Sequence, residues 1–260
     1  MRLRRFGAFP LARDGLLSSM ISEEHAGTSF TVVELRRYAM QPGKRDTLIA
    51  LFERAFVDAQ ERCGMVPIGH YRDLDDPDAY VWFRGFAQFE ERQVALERFY
   101  TSPTWFEHRE AANATLLDTD NVLLLRNARP DSGFDLNGLA RPRGAAAQPA
   151  GRRSLVAVSI FMLDRAAGDD FVGAFEAGLL PALRACAQRV AYLVTEERPN
   201  GFPRHPVRER EFAFVVSGSC ETPEALASWT RAVGGWSDGS AETLERTTLR
   251  LEPAARSLFR

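Results

Sequence analysis

Glu34, Arg36 and Tyr38 fall at alternate positions of the segment FTVVELRRY, and Tyr80, Trp82 and Arg84 do the same in AYVWFRGF. Side chains two apart on an extended strand share a face, so each triplet forms one polar and aromatic stripe. Arginines on such a face can hold a carboxylate, phenolate or enolate through directed N–H donors. Tyr38, or His70 in the neighbouring VPIGHYRDL, can then move a proton, since an ordinary imidazole titrates near neutral pH. A structural reading fits the same residues. A charge on a covered face is costly unless paired, and a Glu34–Arg84 or Glu34–Arg36 ion pair would meet that cost. The catalytic expectation therefore rests on His70, Tyr38, Arg84 and Glu34. Arg36, Trp82, Tyr80, Trp105 and His108 are expected to line the ligand site. For the two histidines the plain alternatives are a strand-end residue bonded to backbone (His70) and a half-exposed helix residue beside Glu107 and Arg109 (His108).

Composition removes other chemistry. The 260 residues contain one lysine, Lys44, beside Pro42-Gly43 at an expected helix start, so Schiff-base catalysis has almost nowhere to reside. Cys63, Cys186 and Cys220 are an odd set without a C-x-x-C pair, which fits reduced, inert thiols in the cytoplasm better than a disulfide framework or structural zinc. His25, His70, His108 and His205 lack ligand spacing, so neither a metal nor a cofactor is expected. A net charge of −2 gives no electrostatic reason to expect nucleic acid or an anionic membrane. No apolar run approaches the ~18 residues of a membrane helix, and no P-loop, dinucleotide fingerprint or nucleophile elbow occurs.

The elements that must position these residues follow from periodicity. FTVVELRRY reads as a strand, and Pro42-Gly43 opens an amphipathic helix carrying Leu48, Leu51, Phe52, Ala55, Phe56 and Ala59, ended by Gly64. VPIGHYRDL and AYVWFRGF form a hairpin across Asp75-Asp76-Pro77-Asp78. A helical region over about 89–117 breaks at Ser102-Pro103, where Ser102 suits an N-cap and Pro103 the first helical position. Trp105, Arg109, Ala112 and Leu116 then share a stripe toward the sheet. NVLLLRN closes the unit in the order β-α-β-β-α-β, the ferredoxin-like arrangement.

After a Gly-, Pro- and Ala-rich stretch the pattern restarts. An offset of 123 pairs Tyr38 with Phe161, Asp46 with Asp169, Phe52 with Phe175, Glu53 with Glu176, Ala59 with Ala182 and Cys63 with Cys186. Ungapped matches at sheet-facing positions point to tandem duplication. The expected organisation is a tail over 1–28 outside the fold (with Met20 an alternative start), a unit over 29–130, a linker over 131–152 and a second unit over 153–260. The fold class is α+β, with two tandem ferredoxin-like (βαββαβ) units forming a barrel-type pseudo-dimer. Each unit covers one sheet face with helices and leaves the other for its sister. With Val33 and Leu35 assigned to the helix side, the polar stripes would line a cavity between the two sheets. Arg198 to Arg210 is either a solvated connector or a lid.

The segments VVELRRYAMQPGKRDTLIALF, GHYRDLDDPDAYVWFRGFAQFEERQ and SPTWFEHREAANA resemble the NIPSNAP family, within the dimeric α/β-barrel superfamily. The residues carrying the likeness are Glu34, Arg36, Tyr38, Pro42, Gly43, Gly69, Tyr71, Trp82, Arg92, Pro103 and Trp105. The second half resembles tandem bacterial members more loosely, mainly through NGFPRHPVRE, and its first and third strands lack the polar face. The resemblance implies a barrel of two ferredoxin-like units. By superfamily analogy it implies a protein that binds, and without a cofactor transforms, a small aromatic or polyketide-like molecule as monooxygenase, isomerase or cyclase. One alternative is a non-catalytic interaction or scaffold protein. A second is a haem-binding or haem-degrading monooxygenase, for which His108 near Trp105 has a precedent in the superfamily. A small-molecule ligand is the expected partner, and a homodimer in addition to the intrachain pairing is compatible with the sequence.

Overall fold

The computed structural model describes residues 30–142, 154–237 and 242–260. The expected tail and positions 143–152 of the expected linker lie outside the described residues. The first half runs β1 (Val32–Met40), α1 (Arg45–Leu51), a π turn (Phe52–Phe56), α2 (Val57–Arg62), β2 (Val66–Asp73), β3 (Ala79–Phe86), α3 (Phe89–Tyr100), α4 (Pro103–Asn113), β4 (Leu116–Asp118) and β5 (Val122–Asn127). The second half runs β6 (Leu155–Leu163), α5 (Asp169–Gly178), α6 (Leu180–Arg184), β7 (Arg189–Thr195), β8 (Phe212–Cys220), α7 (Pro223–Gly235) and β9 (Thr243–Pro253). Strand β6 begins and ends 123 residues after β1, the offset found in the sequence.

Local chemistry sets the breaks. The Trp105 N–H donates to Ser102 Oγ at 3.2 Å with Pro103 in the first turn, which separates α4 from α3. Leu116 does not continue the α4 stripe but opens β4, and Arg109 is exposed over the Phe106 ring at 5.1 Å.

Every strand pair is antiparallel. The order is β5-β1-β3-β2 in the first half and β7-β8-β6-β9 in the second. Pairings β2–β9 and β5–β7 join the halves, so eight strands close into a barrel with β4 as a spur on β1. An eight-stranded barrel is just wide enough for side chains to fill it. Val33, Leu35, Ile68, Val81 and Phe83 pack there with Val156, Val158, Val215, Leu249 and Leu251. Phe134 and Leu136, from the stretch expected to be plain linker, join this core, where the Phe134 ring lies 4.9 Å from those of Phe83 and Phe259.

This packing corrects two expectations. Val33 and Leu35 face the barrel interior, not the helices, and apart from a cleft of about 80 Å³ at one end, between Leu35 and Leu249, the space between the two sheet halves is packed with apolar side chains instead of enclosing the expected ligand cavity. The polar stripes lie on the opposite face, under the helices of the first half. The physical reason is that β1 is buried on both sides, with only Ala39 exposed, so hydrophobicity did not distinguish its faces. Polar residues that read as belonging to an uncovered face are covered and internally paired.

Candidate functional site

The stripe from β1 and β3 begins as an ion cluster. Glu34 opposes Arg84 in the β1–β3 register, and both are fully buried. Arg84 Nη2 and Nε donate to Glu34 Oε2 at 2.5 and 3.0 Å, and Arg36 Nη1 reaches the same oxygen at 2.7 Å. The other oxygen, Oε1, accepts from Arg92 Nε of α3 at 2.7 Å. Burial alone would raise the Glu34 carboxyl, but Arg84, Arg36 and Arg92 together hold it well below the usual carboxylate range. Three guanidinium groups share one carboxylate, so the cluster carries two excess positive charges inside the protein.

An aromatic cavity of about 280 Å³ adjoins the cluster, between the outer sheet face and the helices. Tyr38, Tyr80 and Trp82 form its floor. Leu48, Phe52, Phe56 and Gln60 form one wall, and Phe99, Tyr100 and Trp105 another. The four-residue spacing of the first wall has a local cause. In a pure α-helix each four-residue step drifts by about 40°, and the π turn at Phe52–Phe56, wider per turn, counters that drift. Arg36 Nε donates to the Tyr38 hydroxyl oxygen at 2.7 Å, which leaves the Tyr38 O–H as a donor. Burial raises the Tyr38 pKa and Arg36 opposes the rise, so this phenol acts as a neutral donor. Gln60 Oε1, Tyr80 Oη and Trp82 Nε1 are buried without a hydrogen-bond partner. Orphaned polar atoms are rare in native cores, and three around one cavity mark a place for a polar ligand or water.

The sites expected from sequence separate into groups. Tyr38, Tyr80, Trp82 and Trp105 meet along the cavity. Glu34, Arg36 and Arg84 stand beside it, paired to one another. His70 is fully buried on the same sheet face but lies outside the lining, with its ring 5.1 Å from that of Phe52. Glu53 Oε1 is 3.6 Å from its Nε2, too far to hold a proton there. Burial, then Arg141, Arg72 and Arg256, push His70 down to about 3, so it is neutral and a poor base. His108 is half-buried on α4, also outside the lining, with Glu107 at 3.8 Å.

Sequence reasoning missed Gln60, Tyr100 and His205 as lining residues. Only the four-residue apolar row leading to Gln60 signalled the first. His205 arrives on the segment 196–211 of the second half, which straps across the first half's cavity. Asn200 anchors it. Its Oδ1 accepts from Arg92 Nη1 at 3.0 Å, and its Nδ2 donates to the His205 carbonyl at 2.9 Å. Phe202 is buried with the first half's aromatic residues, and Arg198 lies 3.9 Å over the Phe89 ring. The segment is largely exposed, as a solvated connector would be, but Phe202, His205 and Val207 pack on the first half's helix-side cavity and not on a space between the sheets.

The second half's own helix–sheet interface is filled. At the 123 offset Ala157, Ser159 and Phe161 replace Glu34, Arg36 and Tyr38. Trp229 of α7 packs against Gly218 so closely that a Cβ there would overlap its ring, and Trp229 Nε1 donates to Ser159 Oγ at 3.0 Å. Among the described residues no group of three or more His, Cys, Asp or Glu is placed to hold a metal ion, and no helix is long and apolar enough to cross a membrane.

A family profile described as NIPSNAP matches residues 33–128, the segment that supplies the ion cluster and most of the cavity. No curated protein matches the sequence. Among solved structures, one assigned provisionally as a monooxygenase from Lactobacillus acidophilus NCFM is similar at a TM-score of 0.52 and 12% identity, covering 88% of this chain and 97% of its own. An anthrone oxidase-like protein is similar at a TM-score of 0.52 and 15% identity, with 90% and 98% covered. A second provisionally assigned monooxygenase, from Fusobacterium nucleatum subsp. nucleatum ATCC 25586, is similar at 0.52 and 5%, with 87% and 93% covered. At such identities the likeness concerns the mixed α and β fold.

Proposed function

We propose that this chain, whose residues 33–128 match the NIPSNAP family profile, binds, and without a cofactor transforms, a small aromatic or polyketide-like molecule in the helix-side cavity. We read the whole chain as two tandem ferredoxin-like units, a pseudo-dimer in which only the first keeps a site. The observation that carries the functional reading is the pairing of an aromatic cavity with a buried cluster of net charge +2 behind it. Flat aromatic walls favour a flat aromatic ligand. Buried excess positive charge favours a ligand on which negative charge develops, as on the oxygen of a phenolate or enolate, because preorganised charges act strongly where water is excluded. Tyr38 would transmit this preference by donating its O–H to that oxygen while its own oxygen accepts from Arg36. Trp82 Nε1 is a second buried donor. The cavity volume is near the lower end of the ~300–1,000 Å³ typical of ligand pockets, which suits a small molecule. The anthrone oxidase-like and monooxygenase-like neighbours support oxidation of an ionised aromatic as the reaction class, with oxygen as the oxidant.

A thermal-shift screen over phenols, naphthols, anthrones and aromatic acids, with and without haem, tests the proposal. A ligand that binds only the native state must raise its midpoint. Hydroxylated aromatics should raise it, and Tyr38→Phe and Trp82→Phe should each reduce the shift. A screen in which no aromatic moves the midpoint would favour the scaffold reading, and a shift with haem alone would favour the haem reading.

A further inference from the structure

The second half has no polar stripe of its own, yet it places one titratable ring on the first half's cavity wall. His205 stacks on Tyr100 at a centroid distance of 4.1 Å and lies nearly parallel to Phe202, 5.5 Å away at 7°. Its backbone is fixed from both sides. The His205 N–H donates to the Phe202 carbonyl at 3.0 Å, and its carbonyl accepts from Asn200, which is tied to Arg92 of the ion cluster. Stacking alone does not select a histidine here, since a phenylalanine would present a similar face to Tyr100 and Phe202. His205 is half-buried, and its backbone makes the hydrogen bonds described for it, so its ring nitrogens are free to meet a ligand in the cavity.

The cavity's polar inventory indicates what the imidazole is for. Tyr38 and Trp82 are donors, and the unpartnered Tyr80 hydroxyl can donate or accept. Gln60 Oε1 is a buried acceptor, whereas Asn113 is exposed and Thr119 half-buried at the rim. Burial, helped by Arg84 and Arg36, pushes His205 down to about 3, so its ring is neutral and keeps one nitrogen lone pair free. We propose that His205, supplied by the second half, is a specificity-determining residue that accepts a hydrogen bond from the neutral hydroxyl of the aromatic ligand as it binds, before negative charge develops on that oxygen. The strap then explains why the chain keeps a second half that has no polar stripe. It closes the cavity and adds, beside Tyr100 and on a different wall from Gln60, an acceptor that favours hydroxylated aromatics over their bare or methylated counterparts.

This inference rests on the aromatic reading of the cavity, and titration with 1-naphthol and 1-methoxynaphthalene separates the two. The methyl ether keeps the ring and oxygen but removes the donor. One neutral hydrogen bond corresponds to roughly a three- to tenfold preference for the naphthol in the wild type. His205→Phe should bring the two dissociation constants to within about twofold of each other, and His205→Gln, which keeps an acceptor, should restore part of the preference. Far-UV circular dichroism and the thermal midpoint check that both variants fold. If the wild type prefers the naphthol and His205→Phe prefers it equally, the role of His205 is overturned while the aromatic site stands. If the wild type binds both probes without preference, the same conclusion holds. If it binds neither, the aromatic site itself fails, and this proposal with it.

Discussion

Glu34 and His70 both stand among the residues expected from sequence to be catalytic, and their surroundings set them apart. Glu34 is ionised because three arginines outweigh the cost of burying it, and its charge holds those arginines against the cavity. His70 has no such partner. Its backbone is held, since Ser257 Oγ accepts from the His70 N–H at 3.0 Å and donates to its carbonyl at 2.7 Å, but its ring nitrogens are unsatisfied. A histidine that is neutral when folded and has a pKa of about 3 binds fewer protons than the unfolded chain between pH 3 and 6.5. Its contribution is therefore fully present above pH 6.5 and is lost as the pH falls toward 3. His70→Leu should leave stability at pH 7 unchanged or higher, because it removes two unpaired buried nitrogens. Between pH 6.5 and 5 the wild type should lose about 2 kcal/mol more than the variant, at about 1.4 kcal/mol per pH unit. Urea unfolding at the two pH values measures this, and parallel losses in both proteins would show that His70 does not set the acid limb.

At the scale of elements, the two helix–sheet layers solve one packing problem in different ways. The first leaves a cavity over Trp82, bounded by the Leu48-Phe52-Phe56-Gln60 row. The second closes the corresponding space with Trp229 over Gly218 and with Trp236 against Phe161 and Phe175. Trp229→Ala should therefore cost about 3–5 kcal/mol, as large core truncations do. Binding of 1-naphthol should be unchanged, because Trp229 does not line the first-half cavity. Denaturant unfolding and ligand titration on the same variant check both halves of this expectation. Much of this layer was legible in the sequence. The strand VVELRRY, the hairpin and the Ser102-Pro103 break carry local signals, and an ungapped offset of 123 needs no structure to be seen. The facing of Glu34, Arg36 and Val33 was not legible, because the decisive partner of Glu34 on the helix side is Arg92, 58 residues away. His205 was hidden for a related reason. It acts across the two halves, and no periodicity within one half reports where a loop of the other comes to rest.

At the scale of the whole molecule, the barrel makes each half the cover of the other. The first half presents Val33, Leu35, Ile68, Val81, Phe83, Leu123 and Leu125 to the interior, and the second meets them with Val156, Val158, Val215, Leu249 and Leu251. The junctions are specific. Leu125 pairs with Thr195, and Tyr71 pairs with Pro253. Past β9, the Leu258 and Phe259 N–H groups both donate to the Ile68 carbonyl. Without the second half, one complete sheet face and two strand edges of the first half would be open to water, and contiguous apolar surface of that kind drives association. A fragment spanning residues 29–142 should therefore not persist as a monomer. Its free edges, β2 and β5, are the ones that close the barrel, and a two-fold axis through the barrel would let two copies pair β2 with β5 and rebuild it. Such a dimer would keep two aromatic cavities and lack both straps, so it should bind 1-naphthol and 1-methoxynaphthalene without preference. Light scattering after size exclusion reads the mass, and titration reads the preference. A stable monomeric fragment would mean that the second half is not needed to cover the sheet, and the pairing of the halves would have to be explained by the strap alone.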